Sequence, residues 1–93
     1  MAQINWSKRA IRDLETVFQL ISEDSHFYAY RFTNKIILKV DQLLEFPESG
    51  RIVPEKEDVS IRELIEGNYR IFYKWDKNQV TILRIHNSAR KII

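Results

Sequence analysis

Near the start of the chain, Ala10, Ile11, Leu14, Val17, Phe18 and Ile21 recur at steps of three and four. That spacing puts them on one face of a helix predicted over about residues 8–23, with Lys8, Arg12, Glu15 and Glu23 turned away from it. Ser7 stands just ahead as an N-cap, since its hydroxyl can accept from a backbone N–H that the first turn leaves unpaired. Before it, "AQINW" (residues 2–6) alternates in polarity and predicts a short strand. The polar "SEDS" (Ser22–Ser25) interrupts the stripe and offers a second cap at Asp24 or Ser25. A longer helix is then predicted to about Phe46, with the stripe Ala29, Phe32, Ile36, Val40, Leu43 and Leu44. Pro47 stops it, because proline disfavours helix in the residue before it. Two such helices with a short connection make an antiparallel hairpin with one shared apolar face.

Beyond Pro47 the period changes. "PESGRIVPEKED" is expected to be a loop, punctuated by Pro47, Gly50 and Pro54. "VSIRELIEG" (Val59–Gly67) predicts a strand ending at a Gly-Asn turn, and Tyr69–Trp75 and Val80–His86 predict two more. The last two are apolar at both parities, as strands in the middle of a sheet are. The expectation is an α+β fold in one domain, residues 1–93. Three antiparallel strands form its sheet, the N-terminal strand is added at one edge, and the helical hairpin covers one face as a second layer.

The turn "DKNQ" (Asp76–Gln79) leaves the register of the last two strands open. A two-residue loop, Lys77-Asn78, pairs Trp75 with Val80 and puts Tyr69 opposite His86. A three-residue loop, with Asn78 tolerating the left-handed conformation, slips the register by one and sets Arg70 opposite His86.

Composition bounds the function more than it identifies it. A chain of 93 residues, 44% hydrophobic and 30% charged, holds one small core under a well-solvated surface. The absence of cysteine excludes disulfide and thiolate chemistry and suits a reducing cytoplasm. The first ten residues have neither the apolar run of a signal peptide nor that of a membrane span. Charge is unevenly placed: residues 1–61 carry eight Lys/Arg against ten Asp/Glu, and residues 62–93 carry seven against three. A basic C-terminal third suits an anionic partner, nucleic acid or an acidic protein segment, and equally suits a solvated sheet edge protected by charge.

Within that third, Arg70 and His86 are the candidates for chemistry. Arginine offers a planar fork of donors to phosphate or carboxylate, and histidine exchanges a proton near neutral pH. The bland alternatives are an Arg70 paired with Glu63 or Glu66 and a hydrogen-bonded strand-end His86. Arg62, Lys74, Arg84, Arg90 and Lys91 extend the set as target-contact or phosphate-binding candidates. The two glycines form no phosphate loop, the histidines and acidic residues lack metal-ligand spacing, and Ser88 lacks an evident base. No metal or cofactor is expected. "FYAY" (Phe27–Tyr30) at helical spacing is expected to pack in the core or at its boundary, and Trp6 and Trp75 at the core rim.

Three stretches in order, "EFPESGRIVPE" (Glu45–Glu55), "IRELIEGNYRIFYKW" (Ile61–Trp75) and "VTILRIHNSARKI" (Val80–Ile92), resemble the ParE/RelE superfamily of bacterial toxins. The first is similar to the Pro…Gly-Arg loop of the ParE branch, the second to the family's "YRIxY" strand, and the third to its "RVxHGxR" ending. Asn87-Ser88 stand where ParE-like chains usually have glycine. The resemblance spans essentially the whole chain and implies the toxin of a type II toxin–antitoxin module, neutralised by a cognate antitoxin that folds onto it.

The superfamily divides by target. RelE-like members cut messenger RNA on the ribosome, holding the scissile phosphate with basic residues. By resemblance Arg70 matches their central-strand arginine, Arg90 or Arg84 their C-terminal one, and His86 the histidine acid/base of some relatives. On that reading Arg70, His86 and Arg90 are catalytic. Against it, the branch's lysine pair falls near Ile61 and Glu63, and its C-terminal tyrosine has no counterpart. ParE-like members block DNA gyrase and need no catalytic set; the "ESGR" loop and "IHNSAR" ending favour that branch. A third reading is an inactive homologue kept for binding alone.

Overall fold

The computed structural model describes residues 2–88. The chain opens with β1 (Gln3–Trp6), followed by α1 (Lys8–Ser22) and α2 (His26–Asp41). Ser7 caps α1 as expected, its Oγ accepting from the Ala10 N–H at 3.0 Å. Of the two candidates for the second cap, Ser25 takes the position and accepts from the Tyr28 N–H at 3.2 Å. The α-helix ends at Asp41, short of Phe46, and a single 3-10 turn (Gln42–Leu44) carries the chain towards Pro47.

The remaining elements are β2 (Arg51–Ile52), β3 (Ile61–Glu66), β4 (Tyr69–Asp76) and β5 (Gln79–Asn87). They join β1 in one sheet of order β1-β5-β4-β3-β2. The three long strands are antiparallel neighbours, as their alternation and short turns require. The sheet is nonetheless mixed. β1 runs parallel to β5, with Gln3 beside Gln79 and Trp6 beside Ile82, and the helical hairpin forms part of the long connection that a parallel pair needs. β2 lies inside the stretch expected to be loop; it pairs Arg51 with Glu63 at the opposite edge. The strand predicted over Val59–Gly67 is β3, and it begins at Ile61 rather than Val59.

One face of the sheet carries the helices. Val17, Ile36, Val40 and Leu43 pack onto Ile71, Tyr73, Val80 and Ile82, all essentially inaccessible to water. Trp6 and Trp75 border this core, as expected. The aromatic run does not join it. α2 turns Ala29, Thr33, Ile36 and Val40 inward, so Phe27, Tyr28 and Tyr30 fall outside the buried stripe and stand about two-thirds exposed (66%, 63% and 68%). Tyr30 packs against the neighbouring helix, edge to face with Phe18 at 4.9 Å between ring centres.

Both long hairpins turn on two residues: Glu66 pairs with Tyr69, and Asp76 with Gln79. Gly67 and Lys77 hold the left-handed conformation (φ 58° and 57°), so in the second turn it is Lys77, not Asn78, that adopts it. The loop therefore has two residues and Trp75 faces Val80, yet the pairing slips farther along. Tyr73 faces Ile82 while Phe72 faces Arg84, leaving Leu83 as the extra residue of a β-bulge. After the bulge Arg70 stands directly opposite His86.

No helix among the described residues is long and apolar enough to cross a membrane.

Candidate functional site

The sheet face away from the helices carries Arg70, Phe72 and Lys74 from β4 and Glu63 from β3, because alternate strand residues point to opposite sides. Arg70 lies diagonally across from Glu63, whose direct partner is Phe72. Its Nε donates to Glu63 Oε1 at 3.2 Å, and its Nη2 donates to Glu63 Oε2. Nη1 and Nη2 reach outward to Glu55, donating to Oε2 and Oε1 at 2.8 and 2.9 Å. The guanidinium carbon lies 4.9 Å from the centre of the Phe72 ring. Glu63 has no exposed side-chain surface, and it also accepts from Arg51, at 3.1 Å from Nε and 3.0 Å from Nη2. A buried carboxylate thus sits between two guanidiniums, the pairing that makes its burial tolerable. Glu55, half-exposed on the loop between β2 and β3, closes the outer side of Arg70.

The charges reinforce one another. Hydrogen bonding to Arg70, with a smaller charge contribution from Arg51, pulls the Glu55 carboxyl from its ordinary 4.5 to about 2. Hydrogen bonds to Glu55 and then Glu63 push the Arg70 guanidinium further up from its already high value. Arg70 is held as a cation with its fork filled.

Across the strand, His86 is half-buried. Beside it on the open face is a pocket of about 420 Å³ with Phe72, Val53, Ile61 and Leu83 as its apolar lining and Lys56 and Arg84 among its polar residues. Val53 is itself buried, so the loop after β2 lays an apolar residue on this side of the sheet. A smaller hollow of about 220 Å³ lies between α1 and β5 and is bordered by Asp13, Arg84 and His86.

Among the described residues, the other predicted basic side chains do not converge on Arg70. Arg62 sits at the next register position on β3 and therefore on the helix side, where Nη1 donates to the carbonyls of Glu48 and Gly50, each at 2.9 Å. Its guanidinium lies 5.5 Å from the Trp75 ring centre. Arg62 fastens the loop before β2. Lys74 is exposed on the open face opposite Ile61 and Thr81. Arg84 follows the bulge, with its Nε 3.5 Å from Asp13 Oδ2. Arg90 and Lys91 lie outside the described residues.

Three participants escaped the sequence reading. Glu63 is not among them: it was expected, with Glu66 as the alternative, as a salt-bridge partner of Arg70, and that pairing forms, while Glu66 approaches Lys39 at 3.8 Å. Glu55 and Arg51 were not foreseen. Their signal was the alternation of charge around the short apolar run "RIVPE", which reaches the open face once Val53 is buried. Asp13 was also missed: its Oδ2 accepts from the Ile85 N–H at 2.9 Å along the part of β5 that β1 does not cover.

Chemically, this face offers a filled guanidinium fork, an imidazole across from it, and an apolar pocket alongside. No group of three or more metal-ligating side chains occurs among the described residues.

The ParE toxin family of type II toxin–antitoxin systems (parDE) matches residues 4–92. Toxin RelE2 of Caulobacter vibrioides is 34% identical over 91 residues, covering 97% of this chain and 99% of that one. The fold is shared with a solved structure of the chromosomal ParDE TA system from P. aeruginosa, at a TM-score of 0.76 and 20% identity over 94% of this chain and 96% of that one. A two-layer fold of helical hairpin on mixed sheet, carrying this sequence, is a toxin of the type II toxin–antitoxin class. The chain belongs to the ParE toxin family within the ParE/RelE superfamily, and membership implies a cognate antitoxin as partner.

Proposed function

We propose that this toxin arrests growth by holding a protein target, DNA gyrase, in the manner of the ParE branch, and that it does not cut RNA. The occupied fork of Arg70 carries this reading. An RNase of the RelE type needs that arginine's donors for a scissile phosphate, and here they face two carboxylates. Glu63 stands near the position where that branch carries a lysine, and its buried negative charge repels a phosphate rather than attracting one. Arg62 is turned to the helix side and holds backbone carbonyls, so it does not replace the missing lysines. Either target places the toxin's action in the cytoplasm.

The ribonuclease reading keeps one observation in its favour, the direct opposition of Arg70 and His86. That pairing supplies an acid/base next to a cation if Glu55 is displaced.

Inducible expression without antitoxin separates the two readings, with growth, transcript integrity and plasmid supercoiling followed over time. The gyrase reading expects arrest with intact transcripts and impaired supercoiling. Ribosome-dependent cleavage of transcripts at the onset of arrest overturns it and makes Arg70 and His86 the catalytic pair.

A further inference from the structure

The two carboxylates on Arg70 are not equivalent. Glu63 is built into β3 and fully buried, whereas Glu55 is half-exposed on the loop following Pro54. We propose that the outer edge of Arg70 is a carboxylate-receiving site, filled by Glu55 in the free toxin. An acidic side chain on a segment of the antitoxin displaces Glu55 there, and an adjoining apolar side chain enters the pocket over Phe72. The inference rests on the antitoxin partnership and goes beyond the choice of cellular target.

Three features define the occupant. The first is shape: Glu55 already makes the two parallel N–H···O bonds, at 2.8 and 2.9 Å, by which a guanidinium edge recognises one carboxylate. The second is charge. With Glu55 withdrawn, Arg51 and Arg70 face Glu63 alone, two positive charges against one negative. A single carboxylate neutralises that excess, while a phosphodiester chain brings many charges up to a buried anion. The third is what lies alongside. Phe72 contacts the Arg70 guanidinium with its ring and also helps line the pocket, together with Val53, Ile61 and Leu83. An acidic residue and an apolar neighbour on one extended segment meet these two subsites together. In the pocket's charged lining Lys56 and Arg84 outnumber Glu55, which favours a segment of negative charge.

Glu55 has a covalent advantage as occupant. Tethered by its loop, it competes as an intramolecular ligand at high effective concentration, so an external carboxylate binds with its affinity reduced by that competition. Removing Glu55 reveals the site.

The test follows the Arg70 Nε–H signal by ¹H–¹⁵N NMR in the full chain, with wild type, Glu55→Gln and Glu55→Ala compared. The probe is a capped heptapeptide with one glutamate followed by one leucine in a glycine–serine background. The same peptide with glutamine, inorganic phosphate, and a short single-stranded RNA serve as comparisons. Both variants are expected to bind the glutamate peptide about tenfold or more tightly than wild type, with the gain lost on the glutamine peptide. Equal affinity in wild type and variants, or a gain independent of the glutamate, overturns the proposal. A larger gain for phosphate or RNA than for the peptide also overturns it and identifies the site as a phosphate site. Neither gyrase nor the ribosome enters the measurement, so its failure is distinct from failure of the gyrase reading.

Discussion

Arg70 and His86 face each other across β4 and β5, although the two-residue turn joining those strands would by itself set Tyr69 opposite His86. The bulge at Leu83 makes the difference, inserting one residue into β5 between the turn and the site. The relative placement of the two side chains is thus fixed by a local irregularity several residues from either. Arg70 is in turn held by its two carboxylates, Glu55 and Glu63.

Arg70→Ala is expected to destabilise the fold by about 3 kcal/mol or more, because it strips one of two cations from a buried carboxylate. Chemical denaturation measures it. The double variant Arg70→Met, Glu63→Leu removes charge and partner together and is expected to recover most of that loss. Loss of toxicity in Arg70→Ala alone therefore does not identify a catalytic arginine; the double variant's toxicity, at restored stability, does discriminate.

The Glu55–Arg70 pairing is expected to outlast ordinary acidity. Glu55 has a folded pKa of about 2, below its ordinary 4.5, so its contribution is complete above 4.5 and is lost as pH falls from 4.5 through about 2. A titration of side-chain carboxyl carbons by NMR should show Glu55 still ionised near pH 3, when unpaired glutamates are protonated. A Glu55 that titrates with those others would mean the fork is not closed in solution.

Gly50 and Tyr73 form a joint that tolerates little change. The buried Tyr73 hydroxyl accepts from the Gly50 N–H at 2.8 Å and donates to the Pro47 carbonyl at 2.7 Å. A β-carbon at Gly50 would stand 2.5 Å from that hydroxyl and 2.7 Å from the Glu63 carbonyl. Gly50→Ala is expected to cost about 1–3 kcal/mol by crowding, and Tyr73→Phe a similar amount by leaving two backbone groups unpaired. Thermal unfolding of both variants checks this. Burial also raises the Tyr73 pKa above its ordinary 10.0, so this contribution is complete below 10 and is lost as pH rises through the folded value.

Asp13 protects the exposed part of β5. Its carboxylate takes the Ile85 N–H and lies 3.5 Å from both Arg9 Nε and Arg84 Nε. Asp13→Ala is expected to destabilise the chain by about 1.5–3 kcal/mol, the range for hydrogen bonds to charged groups. Hydrogen exchange at the Ile85 amide should accelerate more than exchange at Ile71 in the sheet interior. Equal acceleration at both would indicate a global loss of stability instead.

Much of the architecture is legible from periodicity. The first helix cap, most of each apolar stripe and the three-strand meander follow from spacing, because those elements are determined by residues close in sequence; the second cap was narrowed to Asp24 or Ser25, and Ile11 of the first stripe stands 46% exposed. The direction of β1, the existence of β2 and the bulge at Leu83 depend on partners far along the chain, and no local pattern encodes them. The exposed Phe27, Tyr28 and Tyr30 teach a related lesson: helical spacing fixes which residues share a face, but Ala29, Thr33 and Ile36 decide which face is inward. At the candidate site, Arg70 and His86 were singled out by residue type, and the structure sets them opposite each other. Glu55 was not, because its role requires a loop of unpredictable path to return over the sheet.

The parallel pairing of Gln3 with Gln79 and of Trp6 with Ile82 sets an order on the making of the molecule. The first strand emerges from the ribosome early, but the edge it must join appears only after more than seventy further residues have been added. Until β5 follows, β1 has no neighbour and the helical hairpin lacks part of the sheet it covers. For a toxin of this family, the sheet is thereby completed only once β5 has been made, and a product ending before β5 is an unfinished fold.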